Sequence, residues 1–310
     1  MDAAQNEHGN FPDRHALVPA YDAVKALAFV GDLSMGQPTD HSLRTAWLAA
    51  QLARAAGERD LDIATAVEAA LLRWSGCTAN APGFSDALGD DVAVREAMLA
   101  QRQGWAKSLD PLGVRDTLIP LAQIHCEVSG EVARILRLST ETEAALRHIF
   151  ETWDGSGLPD GLSGTSVPRA VFMVALASDL EIFSRVYGLP RALALIEEQS
   201  GMRYPRELAM LVTDRATDWL DRLALLEPAT LAEAVVTPHM QETTSVELIA
   251  DVIDLKLPWM TGYSRAVASA AVACLARLGG DDPALAQVLR LGLFEFGRGV
   301  FVSRSSRAIS

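Results

Sequence analysis

Apolar residues recur three or four positions apart along most of the chain, a spacing that places them on one face of an α-helix. Segment 41–56, HSLRTAWLAAQLARAA, shows this spacing clearly, with Asp40 before it as a cap and Gly57 after it as a C-cap. Thr140 and Glu143 are arranged as a capping box for another helix. The segments with helical spacing are 41–56, 60–74, 91–103, 114–138, 140–153, 171–187, 246–255, 264–278 and 284–294.

Two stretches interrupt the helical pattern. Residues 80–91 contain Pro82 and Gly83 and are predicted to form a break, and residues 154–168 are predicted to form a loop rich in Gly and Pro. No segment shows the alternation of apolar and polar residues that is typical of a strand. The chain is therefore predicted to be all-α.

Composition allows a large core and excludes a membrane span. The chain has 310 residues, of which 49% are hydrophobic, and no apolar run reaches the roughly 18 residues that a membrane helix needs. Residues 1–15 are polar and lack the apolar stretch of a signal peptide. We therefore expect a cytoplasmic protein without a membrane partner.

The net charge of -13 argues against contact with nucleic acid, because a DNA-binding surface needs clustered Lys and Arg. The three cysteines, Cys77, Cys126 and Cys274, form no CxxC pair. This spacing argues against disulfides and against a structural zinc site, and predicts small buried side chains instead.

Residues 151–164, ETWDGSGLPDGLSG, resemble the signature loop of HD-GYP domains, in which a proline and a long apolar helix follow. Pro168 and segment 171–183 fit that continuation. The resemblance extends over about residues 24–215 and implies an HD-domain-like helical bundle. The loop residues that carry it are Glu151, Trp153, Asp154, Gly155, Gly157, Leu158 and Pro159.

HD-type phosphohydrolases bind two or three metal ions through histidine and aspartate, and these ions activate water and hold the phosphodiester. The resemblance places two of the implied histidine ligands at His41 and His125. It places the His-Asp doublet at Arg73 and Trp74, and neither side chain can bind a cation.

The later ligand positions also differ from the family pattern. The paired histidines correspond to Ile149 and Phe150, with His148 one residue early, and the final aspartate corresponds to Ser178, with Asp179 beside it. We therefore expect no metal and no cofactor. If a metal is bound, the fallback ligands are His41, His125, His148 and Asp179.

Side chains at these altered positions are expected to line a pocket for a small molecule. Arg73 is expected to pair there with Asp179 or Glu181. The pocket candidates are His41, Arg73, Trp74, Cys77, His125, Ser178 and Asp179.

Segment 41–57 aligns without gaps with segment 263–279, which indicates an internal repeat. Tyr263 takes the histidine position in this second copy. The predicted organisation is an N-terminal tail (1–23), a degenerate HD-GYP-like domain (24–226), a linker (227–244) and a partial second HD-like helical domain (245–310).

The segment LLRWSGCTANA at 71–81 resembles bacterial LuxR-type regulators with HD domains, which implies a DNA-binding domain beyond residue 310. The resulting expectation is a non-catalytic sensory or regulatory module of a signalling or transcription-regulator protein. Its expected partner is a small-molecule ligand, and the sequence leaves open whether the protein forms a homodimer. The alternative is a metal-dependent phosphohydrolase, specifically a cyclic dinucleotide phosphodiesterase.

Overall fold

The computed structural model describes residues 17–88, 91–102, 111–245, 247–255 and 258–279. These residues form an all-α fold with two short strands, β1 (Leu17–Pro19) and β2 (Thr243–Ser245). The helices are α1 (Ala20–Ser34), α2 (His41–Ala55), α3 (Asp60–Leu72), α4 (Cys77–Leu88), α5 (Asp91–Leu99), α6 (Pro111–Ile135), α7 (Thr140–Arg147), α8 (Arg169–Tyr187), α9 (Leu189–Glu198), α10 (Arg206–Ala224), α11 (Pro228–Ala234), α12 (Glu247–Asp254) and α13 (Tyr263–Arg277).

Helices α2, α3 and α8 form the centre of the bundle and pack against one another. Every residue of α8 from Ala170 to Phe183 is buried. A helix that is apolar around most of its circumference is stable only when other elements surround it. The predicted apolar segment 171–187 is therefore confirmed as a central helix.

The strands were not predicted from the sequence. β1 pairs antiparallel with β2, with Val18 opposite Thr244. Each strand has three residues, which is too short for an alternation of apolar and polar positions to show. The Tyr21 hydroxyl donates to the Ala232 carbonyl at 2.5 Å and fastens the start of α1 to α11.

The segment predicted as a linker, 227–244, packs against the bundle. Glu68 of α3 is fully buried and accepts hydrogen bonds from Thr142 (2.6 Å) and Thr237 (2.6 Å), and its carboxylate lies 2.9 Å from His239 Nδ1. Leu231, Val235 and Met240 are buried as well. The division of the chain into domains stays a prediction.

The predicted break at 80–91 is wrong for most of its length, because α4 continues through Pro82 to Leu88. Gly83 in α4 serves close packing: a Cβ atom there would lie 2.4 Å from the Leu121 side chain of α6. Asn80 reinforces this contact by donating to the Leu121 carbonyl at 3.0 Å.

The start and end of α7 also differ from expectation. Its N-cap is Ser139, whose hydroxyl accepts from Thr142 N at 3.1 Å. The capping residue is therefore one position before Thr140, the residue predicted from the sequence. The helix ends at Arg147 instead of continuing to 153, and His148 is its C-cap. His148 therefore belongs to the loop that follows.

The first and last helix pairs share one hydrogen-bond arrangement. Ser42 donates to Asp32 from its backbone N (3.0 Å) and its hydroxyl (2.6 Å). Ser264 donates to Asp254 in the same way, at 3.0 Å and 2.5 Å. Helices α2 and α13 each have 15 residues, as the internal repeat requires. The segment predicted as helix 284–294 lies outside the described residues.

One cysteine at this end of the chain is exposed against expectation, and one tryptophan is exposed as well. Cys274 is exposed, whereas Cys77 and Cys126 are buried as predicted. Trp259 is 75% exposed and belongs to no core, unlike the buried Trp47. None of the helices in the described part of the chain has the length and apolar character needed to cross a bilayer.

Candidate functional site

A cavity of about 430 Å³ lies between helices α4, α5 and α6, the end of α3 and the loop after α7. We call it the Arg73 cavity. It brings together seven residues singled out from the sequence, namely Arg73, Trp74, Cys77, His125, Glu151, Gly157 and Leu158. Ile149 and Phe150, which stand at the family's paired histidine positions, line it as well.

Three pocket candidates lie outside the lining of this cavity: His41, Ser178 and Asp179. His41 is buried, and its Nδ1 atom lies 2.7 Å from Glu181 Oε2. Burial alone would raise the pKa of Glu181, but its hydrogen bonds and ion pairs with His41 and Arg185 lower it to about 2. His41 is therefore engaged in an ion-pair network through Nδ1, while its Nε2 atom is buried without a hydrogen-bond partner.

Arg73 makes no direct ion pair with Asp179 or Glu181, although the charge of Asp179 partly offsets the effect of burial on the Arg73 pKa. Asp179 instead pairs with Arg203 at 3.0 Å and accepts from the Tyr204 hydroxyl at 3.2 Å. The Arg73 guanidinium carbon lies 3.9 Å from the centre of the Trp74 ring. The sequence expectation failed because Arg203, which is distant in the sequence, forms the ion pair with the Asp179 carboxylate.

Arg73 is 3% exposed, and its Nε and Nη1 atoms have no hydrogen-bond partner. Burial lowers its pKa to about 10, so the guanidinium stays charged at neutral pH. The Trp74 ring and the charge of Asp179 favour the cation, but leaving buried N–H donors without acceptors still costs on the order of 1–3 kcal/mol for each group. An anionic ligand in the cavity would supply the missing acceptors.

Other buried donors of the cavity lack partners in the same way. The indole Nε1 of Trp74 and the Nε of Arg95 are buried without a hydrogen-bond partner. Arg95 is otherwise held by the Asn80 side chain at 2.7 Å and lies over the Phe84 ring at 4.4 Å. The cavity therefore combines cationic donors with aromatic faces, which suits a ligand rich in acceptors and planar rings.

His125 is fully buried and fixes the backbone next to Arg73. Its Nε2 lies 2.6 Å from the Arg73 carbonyl oxygen, so Nε2 carries the proton and donates. Burial lowers the pKa of His125 to about 3, from an ordinary value of 6.5. The imidazole is thus neutral at physiological pH.

This depressed pKa predicts acid sensitivity. Between pH 6.5 and about 3 the unfolded chain binds a proton at His125 and the folded chain does not, so stability falls as pH falls. We expect the unfolding free energy of the wild type to drop about 1 kcal/mol per pH unit faster than that of His125→Gln. Urea unfolding at pH 7, 6 and 5 measures this, and parallel pH profiles would contradict it.

The signature loop is braced by its own polar groups. Asp154 Oδ1 accepts from the Thr152 hydroxyl (2.8 Å), Ser156 N (3.0 Å) and the Ser156 hydroxyl (2.7 Å). Trp153 packs edge-on against Phe172 at 5.6 Å. A Cβ atom at Gly157 would lie 2.5 Å from Glu151 Cα, so only glycine fits there. These contacts hold Glu151 against the cavity.

The dinuclear metal site implied by the HD-GYP resemblance does not fit these residues. A metal ion there would face the Arg73 cation, the indole of Trp74 and the apolar side chain of Ile149. His125 uses Nε2 on a backbone carbonyl, and its Nδ1 lies 3.6 Å from the Cys77 sulfur. His41 is held by Glu181 through Nδ1 and lies outside the lining of this cavity. Of the fallback ligand set of His41, His125, His148 and Asp179, only His125 lines the Arg73 cavity.

Several lining residues were missed from the sequence, notably Phe84, Arg95 and Arg203. They come from α4, α5 and the segment before α10, and no family motif includes them. The one usable signal was an arginine at 95 in an apolar segment of a strongly acidic chain. Burial of such an arginine is unusual unless it is functional or paired.

No protein-family model matches the chain. A relative in sequence is 3′3′-cGAMP-specific phosphodiesterase 3 of Vibrio cholerae serotype O1 (strain ATCC 39315 / El Tor Inaba N16961), 22% identical over 284 residues, which cover 81% of this chain and 61% of the relative. This chain thus spans about three fifths of that relative's length.

A solved structure resembles the fold closely. The crystal structure of a cyclic GMP-AMP-specific phosphodiesterase of V. cholerae (V-cGAP3) superposes with a TM-score of 0.70 at 20% identity, and the match covers 89% of this chain and 69% of that chain. The all-α, HD-domain-like fold expected from the sequence is therefore confirmed.

The comparisons contradict the expected function. Both similar proteins are phosphodiesterases specific for a cyclic dinucleotide, so the expectation of a non-catalytic sensory or regulatory module is wrong, and the alternative is favoured. Neither comparison supports the LuxR-type setting, a role in transcription, or the degeneracy of the site. The sequence argument for a non-catalytic module rested only on the family's metal positions.

Proposed function

We propose that this chain acts as a phosphodiesterase on a 3′,3′-linked cyclic dinucleotide, which it binds in the Arg73 cavity. The observation that carries the proposal is the set of buried, unpartnered donors there, on Arg73, Trp74 and Arg95. A cyclic dinucleotide offers two anionic phosphodiesters and two planar bases. Its chemistry complements cationic donors beside aromatic rings.

The size and shape of the cavity agree with this ligand class. Its volume of about 430 Å³ falls within the range of small-molecule sites. Trp74 and Phe150 have ring centres 6.4 Å apart, and His125 and Phe150 have ring centres 4.5 Å apart. These rings form an apolar wall on which a base can stack, while Arg73 faces a phosphate.

Hydrolysis adds one water molecule across a phosphodiester. The water oxygen bonds to phosphorus, one P–O bond to a sugar breaks, and the departing sugar oxygen takes a proton. Negative charge increases on the phosphoryl oxygens during this step, and a fixed guanidinium in a dry site stabilises it strongly. Arg73 is placed for that role because burial keeps water away from it.

Incubation of the purified protein with 3′3′-cGAMP, with MnCl₂ in one arm and EDTA in the other, tests the proposal. We expect conversion to the linear dinucleotide, measured by ion-pair chromatography, and at least tenfold slower conversion by Arg73→Met. Recovery of intact 3′3′-cGAMP after prolonged incubation with stoichiometric protein in both arms would contradict the proposal.

A further inference from the structure

We propose that His148, Glu151 and Asp160 bind one divalent cation beside the Arg73 cavity. Each of the three offers one ligand atom, and these atoms all lie within 4.8 Å of one another. An ion at their centre would be close enough to contact an imidazole nitrogen and two carboxylate oxygens after small side-chain movements. This site differs from the ligand positions that the HD-GYP resemblance implies.

The local backbone brings the three residues together. His148 is the C-cap of α7, and Glu151 follows three residues later at the start of the signature loop. Glu151 Oε1 accepts from the backbone N of Asp160 (2.8 Å) and of Gly161 (3.2 Å). The carboxylate of Glu151 therefore positions Asp160, and close packing at Gly157 holds the turn between them.

An unpartnered buried carboxylate oxygen is the independent observation that indicates a ligand. Glu151 is 3% exposed, and its Oε2 atom is buried without a hydrogen-bond partner. The Nδ1 atom of His148 is also buried without a hydrogen bond, 3.6 Å from Asp160 Oδ2. Leaving such groups without partners costs free energy, and a bound cation would satisfy both.

No Lys or Arg forms an ion pair with these carboxylates in the part of the chain that the structure describes. The only ion pair of Asp160 among those residues is with His148, and no ion pair with Glu151 occurs there. By contrast, the buried Asp179 is paired with Arg203 at 3.0 Å. The carboxylates of Glu151 and Asp160 therefore carry negative charge with no Lys or Arg paired to them in the described residues.

One imidazole with two carboxylates suits borderline and hard divalent ions such as Mn²⁺ or Zn²⁺. Glu151 also lines the Arg73 cavity, so the ion would lie at the edge of the space assigned to the nucleotide. Cation binding itself does not depend on the proposed function. The use of the ion against a phosphodiester does rest on the proposed function.

Titration of the metal-free protein with MnCl₂ alone, followed by electron paramagnetic resonance, tests the inference. We expect one Mn²⁺ bound per chain. His148→Ala and Asp160→Asn should each weaken Mn²⁺ binding about tenfold or more, because each removes one of three protein ligands. Asp218→Asn is the matched control, since Asp218 is an exposed carboxylate of α10, and it should bind Mn²⁺ like the wild type.

Absence of stoichiometric Mn²⁺ binding, or equal affinity in wild type, His148→Ala and Asp160→Asn, would overturn the inference. Circular dichroism and thermal unfolding establish that each variant is folded. Calorimetry with 3′3′-cGAMP in EDTA separates the two proposals. If the protein binds the nucleotide but not Mn²⁺, only the proposal of a cation site is contradicted. If it binds Mn²⁺ but not the nucleotide, only the proposed substrate is contradicted.

Discussion

Arg73→Met is expected to weaken the binding of 3′3′-cGAMP by about 100-fold, or about 2.7 kcal/mol. The reason is the loss of charge-assisted hydrogen bonds to a phosphate, each of which contributes on the order of 1.5–3 kcal/mol. The variant should nevertheless be as stable as the wild type or more stable. Methionine fills a similar volume and removes a buried charge that has unpartnered donors at Nε and Nη1.

Calorimetric titration gives the affinity, and urea unfolding gives the stability. Arg185→Met is the matched control, because Arg185 pairs with Glu181 at 3.2 Å and does not line the Arg73 cavity. The control should lose stability and keep its nucleotide affinity, which is the opposite pattern. Unchanged affinity of Arg73→Met would show that the guanidinium does not contact the ligand.

Gly76→Ala is expected to destabilise the fold by about 3 kcal/mol. A Cβ atom at position 76 would lie 2.3 Å from the carbonyl oxygen of His125, so the backbone of α4 or α6 must move. His125 is one partner of this contact, and its Nε2 also donates to the Arg73 carbonyl oxygen at 2.6 Å. A movement of the backbone would disturb that hydrogen bond. Nucleotide affinity should therefore fall together with stability.

Gly57→Ala is the control for the conformational preference of glycine itself. Gly57 has φ +75, and a Cβ atom there would meet nothing within 4 Å. It should cost only about 1 kcal/mol, the price of a left-handed conformation for an alanine. Urea unfolding of both variants measures the difference, and equal losses would contradict a steric role for the contact between Gly76 and His125.

Much of the fold was predictable because the buried face of a long helix appears in the sequence as regularly spaced apolar residues. The apolar segment that became α8 and the segment 41–56 that became α2 were both recognised from their spacing. The two strands were not predictable, since three residues are too few to show an alternation of apolar and polar positions. Helix α4 was missed because Pro82 and Gly83 suggest a break, whereas Gly83 in fact permits close contact with Leu121.

The candidate site was predictable only where a motif marked it. Arg73, His125 and Glu151 were singled out because they stand at or beside positions of the HD-GYP pattern, and all three line the cavity. Arg95 and Arg203 reach the same cavity from distant parts of the chain, and only tertiary packing brings them there. For the same reason, the pairing of Asp179 with Arg203 could not be read from sequence.

A crystal structure of the protein with 3′3′-cGAMP would test the central claim most directly. We expect the nucleotide in the Arg73 cavity, with a phosphate oxygen within 3.2 Å of Arg73 Nε or Nη1. A nucleotide bound elsewhere, or a cavity in which Arg73 makes no contact with phosphate, would contradict the account.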